Sequence, residues 1–113
     1  MMKCFILFRE IIMSDSNVYL LINAIPNPEK MAATQQYLQS IMPVFKQYGG
    51  APVGRFKTIE QLVGKGGIKM DAILQFPDTK AIRELVDSEA FKALGTLRSE
   101  AFNQLDMMIC ESM

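Results

Sequence analysis

Histidine and tryptophan are absent from this chain, and cysteine occurs only twice in its 113 residues. Without histidine there is no imidazole to serve as general base or metal ligand, the two commonest uses of that side chain. Cys4 and Cys110 have neither CxxC spacing nor companions for a zinc site. They read as buried or idle thiols in a reducing, cytoplasmic setting. Charge of neither sign predominates: twelve Lys and Arg balance twelve Asp and Glu. No basic stripe is interleaved with aromatics, so nucleic acid is excluded as an expected partner. Long apolar runs are missing too. Cys4–Phe8 is broken by Arg9 and Glu10, well short of the roughly 18 residues that span a bilayer, and no small-residue cleavage site follows it. No membrane contact, metal or cofactor is expected. Any chemistry rests on carboxylates, Arg, Lys, Tyr, Asn, Gln or a cofactor brought from outside.

What is present is a globular balance, 50% hydrophobic and 21% charged, at a length that suits one domain. Residues 1–16 read as an extension apart from the core, and residues 17–113 as the domain. Met13-Ser14-Asp15-Ser16 is an ordinary polar start, so translation is expected to begin at Met13. The alternative is a short extra strand or arm over an exposed edge.

Val18–Ile25 reads as a strand that is apolar on both faces: Val18, Leu20, Ile22 and Ala24 on one, Tyr19, Leu21, Asn23 and Ile25 on the other. Asn27-Pro28-Glu29 then predicts a helix start, with Asn27 as cap and Pro28 in the first helical position. Met31, Leu38, Ile41, Met42, Phe45 and Tyr48 recur at helical spacing, Pro43 predicts a kink or break, and Gly49-Gly50 ends the helix. A second strand is read over Pro52–Val63 with Gly54 as a bulge or close approach, then a Gly64–Gly67 turn and a third strand over Ile68–Phe76. Asp78 and Ser88 are capping positions for two helical segments, with Ala81, Ile82, Leu85 and Val86 on the first. Phe91, Leu94, Leu97, Ala101 and Phe102 lie on the second, where Gly95 suggests close packing. Leu105–Glu111 is the last strand.

This order is the split βαββαβ of ferredoxin-like α+β folds: an antiparallel sheet in the order 4-1-3-2 with two helices on one face. The opposite face carries Tyr19, Leu21, Ile25 and Ile73, too much apolar surface to leave wet. A face-to-face homodimer, a dimeric α+β barrel, is the expected answer.

Ala24–Glu29 entering a helix, Lys46–Gly50 closing it, Gln75-Phe76-Pro77-Asp78, and Asp87–Leu94 with Leu97-Arg98 resemble a small family catalogued as domain of unknown function 1330. The resemblance covers about Val18 to Glu111 and implies the dimeric α+β barrel superfamily, but no established reaction. Fold relatives of that superfamily include cofactor-independent oxygenases and lactone isomerases, an analogy of fold alone. The family pattern often has Glu immediately before the Phe-Pro pair. Here it is Gln75, which orients a ligand but exchanges no proton near neutral pH.

Candidate ligand-binding residues are Asn23, Arg55, Asp71, Gln75, Arg98 and Tyr19. Asn23 is an amide in an apolar strand, either a satisfied core or interface group or a ligand-orienting one. If Val63 pairs with Ile68, Glu60 falls opposite Asp71 and the two carboxylates share a face; a one-residue shift separates them. Arg55 and Arg98 are suited to a forked hold on a carboxylate, or to a surface or dimer salt bridge. Tyr19 and Tyr48 offer phenols but have packing spacing, and Lys65 among glycines lacks the Walker pattern and reads as a turn. Nine methionines suit a pliable pocket and an ordinary core equally. The expected function is a homodimer that binds a small organic molecule, such as an acid, in a mostly apolar pocket between sheet and helices or at the dimer seam. The alternative is a non-enzymatic structural or regulatory dimer module with a filled core, and a third reading is a redox responder through Cys110.

Overall fold

Alternation along β1 (Val18–Pro26) sets the two faces of the sheet: Leu20 and Ala24 are buried, while Tyr19, Leu21, Asn23 and Ile25 stay half-exposed. The computed structural model describes residues 18–67 and 69–113. The N-terminal extension, with Cys4, the expected start at Met13 and the alternative arm, lies outside the described residues, as does Ile68. β1 is flanked by β3 (Met70–Phe76) and β4 (Phe102–Cys110), both antiparallel to it. β2 (Ala51–Lys57) pairs with the far side of β3 at the sheet edge. The order β2-β3-β1-β4 is the expected 4-1-3-2 seen from the other edge.

The first helix, α1, spans Met31–Gln47, a few residues later than the sequence suggests. Asn27 caps a turn and not the helix: its side-chain oxygen accepts from the Glu29 N–H at 3.0 Å, and its carbonyl accepts from the Lys30 N–H at 2.9 Å. Pro28 sits second in that turn, where its fixed φ fits, and the Asn side chain competes with helical pairing. Lys30 stands at the cap with no side-chain bond. Pro43 does not break the helix, which runs through it. Both Pro43 and Gln39, whose carbonyl loses its donor, are exposed, so water can replace the missing bond. Gly49, at φ +91°, ends the helix as expected.

After β3 three short helices follow: α2 (Thr79–Asp87), α3 (Glu89–Ala93) and α4 (Gly95–Ala101). Both expected caps form. Asp78 accepts from the Ala81 N–H at 2.8 Å, and the Ser88 hydroxyl accepts from the Phe91 N–H at 3.1 Å. Gly95 is not a close-packing glycine, since a Cβ there would meet only the Arg98 Nη1, at 3.9 Å. It opens α4.

The core lies between the helices and one sheet face. Leu20, Leu74 and Phe76 from the sheet meet Tyr37, Ile41 and Phe45 of α1 and Ile82 and Leu85 of α2, all at most 2% exposed. Two edge-on aromatic contacts, Tyr37 with Phe102 at 5.5 Å and Phe45 with Phe76 at 6.5 Å, lock helix to sheet. The buried Thr34 hydroxyl donates to the Ala101 carbonyl at 2.9 Å, joining α1 to the end of α4.

The hairpin departs most from expectation. β2 ends at Lys57, not Val63, and β3 starts at Met70. Between them residues 58–69 form an arm, closed at its base by the Thr58 N–H donating to the Lys69 carbonyl at 2.9 Å. Apolar residues at Ile59, Leu62 and Val63 suggest strand, but three nearby glycines and an edge position with no further strand among the described residues leave them outside the ladder. The bulge expected at Gly54 is real. The register shifts between Pro52 and Gly54, and the Phe56 ring lies so close that a Cβ on Gly54 would be 2.8 Å from it.

Leu85 is fully buried, so Leu85→Ala should lower the free energy of unfolding by about 3 kcal/mol. Lys80→Ala, which removes an exposed contact to Glu84, should leave it close to wild type. Urea denaturation followed by circular dichroism measures both.

Candidate functional site

Strand pairing assembles the face of the sheet that no helix of the described residues covers. Because directly paired residues share a face, Asn23 of β1 lies between Asp71 of β3 and Asp106 of β4, and Phe56 of β2 extends the row. The next row joins Gly54, Ile73, Leu21 and Met108, and the one beyond it Ala51, Gln75, Tyr19 and Cys110. A polar row thus crosses a largely apolar face.

The polar row is bonded internally. Asn23 Nδ2 donates to Asp71 Oδ1, and Gln104 Nε2 donates to Asp106 Oδ2 at 2.8 Å. Asp71 and Asp106 are two strands apart, about 10 Å by ordinary strand spacing, so they do not form a pair sharing one proton. The face carries no Lys or Arg at its paired positions. Among the described residues the one ion pair is Lys80 with Glu84, on α2. Among the described residues, both aspartates therefore face outward without a cationic partner.

Of the six candidate residues, Tyr19, Asn23, Asp71 and Gln75 share this face. Arg55 does not: it pairs with Ala72, whose side chain belongs to the helix-covered side, and it is exposed near the sheet edge. Arg98 lies among the helices. Its Nε donates to the Tyr37 hydroxyl at 2.9 Å and its Nη2 to the Phe91 carbonyl at 2.9 Å. The guanidinium sits 4.0 Å from the centre of the Phe91 ring. It braces α1 against α3 and α4. Glu60 lies in the exposed arm, and Phe56 takes the place opposite Asp71. The Glu60–Asp71 pairing, which depended on Val63 facing Ile68, therefore does not form, and the alternative, a shift that separates the two, holds. Asp106 and Gln104 were missed, although Gln104, Asp106, Met108 and Cys110 alternate along β4; only the register with β1 shows that Asp106 meets Asn23 and Gln104 stands opposite Ile25.

The space between sheet and helices is occupied by the core. Two open grooves lie elsewhere. One, about 710 Å³, runs between α1 and the start of β2 past Met42, Pro43 and Pro52. The other, about 610 Å³, sits at the sheet end between Ile25, Met31, Lys57 and Met70. Asn23, Asp71 and Gln75 line neither.

A four-stranded antiparallel sheet with all its helices on one face is the ferredoxin-like α+β fold. Residues 17–113 match the family described as "Domain of unknown function (DUF1330)", and the chain belongs to that family. No curated protein matches it. Among solved structures it is similar to a protein of unknown function from Rhodopseudomonas palustris, with a TM-score of 0.74 at 15% identity over 99% of this chain and 95% of that one. It is also similar to a putative antibiotic biosynthesis monooxygenase from Caulobacter crescentus CB15, with a TM-score of 0.64 at 11% identity over 93% of this chain and 97% of the other. An uncharacterized NIPSNAP-like domain protein from Burkholderia xenovorans gives a TM-score of 0.60 at 10% identity, covering 88% and 87%. At these identities the likeness is one of fold alone. Among the described residues no helix is long and apolar enough to cross a membrane.

Burial pushes the Tyr37 phenol above its ordinary value of 10.0, against the opposing pull of the Arg98 hydrogen bond and charge. The folded protein thus holds this proton more tightly than the unfolded chain. Its contribution to stability is complete below pH 10 and is lost as pH rises toward the raised folded value. Chemical denaturation across the alkaline range should show stability declining above pH 10, and Tyr37→Phe should flatten that decline while lowering stability at neutral pH.

Proposed function

We propose that two copies pair open face to open face and that the seam binds a small organic molecule at the Asn23–Asp71–Asp106 row. The observation that carries this reading is a bonded amide–carboxylate row set among Leu21, Ile73, Phe56 and Met108, on a face that no helix of the described residues covers. Apolar surroundings exclude water when paired, and buried polar groups among them demand partners. A ligand with hydrogen-bond donors would supply those partners to the free carboxylate oxygens.

The acid suggested by the sequence fits the row itself poorly. Its fork was to come from an arginine, yet Arg55 and Arg98 lie off this face, while two carboxylates lie on it. A neutral, donor-bearing molecule suits the row better. Asn23 and Gln75 would orient it, with Tyr19 beside Gln75. We assign no reaction. A reducing cytoplasm is the setting in which Cys110, at the edge of the same face, stays a thiol.

The packed interior between sheet and helices favours a second reading, a non-enzymatic dimer module in which the seam holds only side chains. Native mass spectrometry of the dimer with a pool of small metabolites separates the two. The binding reading expects a retained small molecule in wild type that Asn23→Leu loses while remaining dimeric. An empty wild-type dimer across the whole pool would favour the module. In either case Met108→Asp, which adds a charge to the open face, should shift the protein to monomer in sedimentation equilibrium, and a wild type that is monomeric throughout would contradict both.

A further inference from the structure

The arm between β2 and β3 holds apolar side chains in water to an extent that the folded chain does not explain. Ile59 is 96% exposed, Leu62 84% and Val63 86%, and Phe56 beside them on the open face is 59% exposed. The arm nonetheless has internal order: its base is hydrogen-bonded, Gln61 donates to the Val63 carbonyl, and Lys69 lies over Gly66. Large apolar side chains grouped on a projecting segment mark a contact surface.

Charge points to what the arm meets. Over residues 58–69 the arm carries two lysines, Lys65 and Lys69, against the single carboxylate of Glu60. The open face of the sheet carries Asp71 and Asp106 and no cation at its paired positions. Stacking two such faces brings four carboxylates together in a water-poor seam, which is costly unless counter-charges enter with them. Among the described residues, the segment with both an unburied apolar surface and an excess of lysines is the arm.

We propose that the arm of each copy reaches across the open face of its partner, seating Ile59, Leu62 and Val63 on the apolar rows and bringing its lysines to the Asp71–Asp106 row. This rests on the face-to-face pairing proposed above. The interface is isologous, since arm meets face and face meets arm about one two-fold axis. Each ligand site at the seam is then incomplete without the other copy, whose lysine supplies the cation that its own face lacks.

Sedimentation equilibrium on three samples tests this. The first is the full-length wild type. The second is a triple variant, Ile59→Ser, Leu62→Ser and Val63→Ser. Its positions are exposed, so the monomer fold, checked by circular dichroism, should be unchanged. Its self-association should weaken by at least about ten-fold. The third is an equimolar mixture of a Lys65→Glu/Lys69→Glu chain with an Asp106→Lys chain. That mixture should associate at least about ten-fold more tightly than either chain alone, because only the mixed pair restores opposite charges. A wild type that stays monomeric would remove the face-to-face pairing itself. A dimeric wild type with an equally dimeric serine variant would overturn the arm while leaving the pairing intact. A weakened serine variant with no gain in the mixture would overturn the placement of the lysines against the acidic row.

Discussion

The register of β1 against its two neighbours is the constraint from which the rest of the structure follows. β1 makes the central pairings, with β3 on one side and β4 on the other, and its alternation decides what each face of the sheet is made of. In the observed register Leu20 stacks beside Leu74 under the helices, and Asn23 meets Asp71 and Asp106 on the outside. A slip of one residue would turn Leu20 and Ala24 outward and drive Asn23 into the core, exchanging every side chain between faces. The Asn23–Asp71 hydrogen bond belongs to this register alone. It adds polar specificity to a strand whose apolar residues, lining both sides, would otherwise pair almost as well when shifted.

That constraint explains which features were legible in the sequence. The order of elements, the helix-bearing face and the caps at Asp78 and Ser88 follow from local patterns: period-two alternation, helical spacing, and a short polar side chain ahead of an apolar run. The site was only half legible. Asn23 stood out as an amide in an apolar strand. Its neighbours on β4, Asp106 and Gln104, did not, because which residues face each other across strands is set by long-range pairing and leaves no local mark. The same ignorance of register placed Glu60 opposite Asp71, where Phe56 stands. The end of β2 was misjudged because Ile59, Leu62 and Val63 look like strand, although no strand of the described residues pairs with them. Arg98 looked like a ligand clamp on residue type alone. Its actual partners, Tyr37 and Phe91, lie 61 and 7 positions away in the chain.

The two faces of the sheet are therefore built for different ends. One is finished within the chain: Phe76, Leu85 and Tyr37 fill it, and Arg98 ties three helices together at its rim. The other presents apolar rows, two aspartates with no cation at the paired positions beside them, and a lysine-bearing arm at its side. Gln75 on that face removes the proton exchange that a glutamate there would offer, which leaves the carboxylates of Asp71 and Asp106, the Tyr19 phenol and the Cys110 thiol as its acid–base groups. Neighbours in fold do not choose among chemistries. The open face, and what covers it, is the part of this molecule from which function must be read.

Methyl NMR on a mixed sample, half isotope-labelled and half unlabelled, reports on that cover directly. If a twin molecule shields the open face, the Leu21, Ile73 and Met108 methyls should show contacts between copies and stay protected from a water-soluble paramagnetic agent. If those methyls show no contact between copies and are broadened by the agent as strongly as the exposed Met31, the open face is wet and the central claim is contradicted.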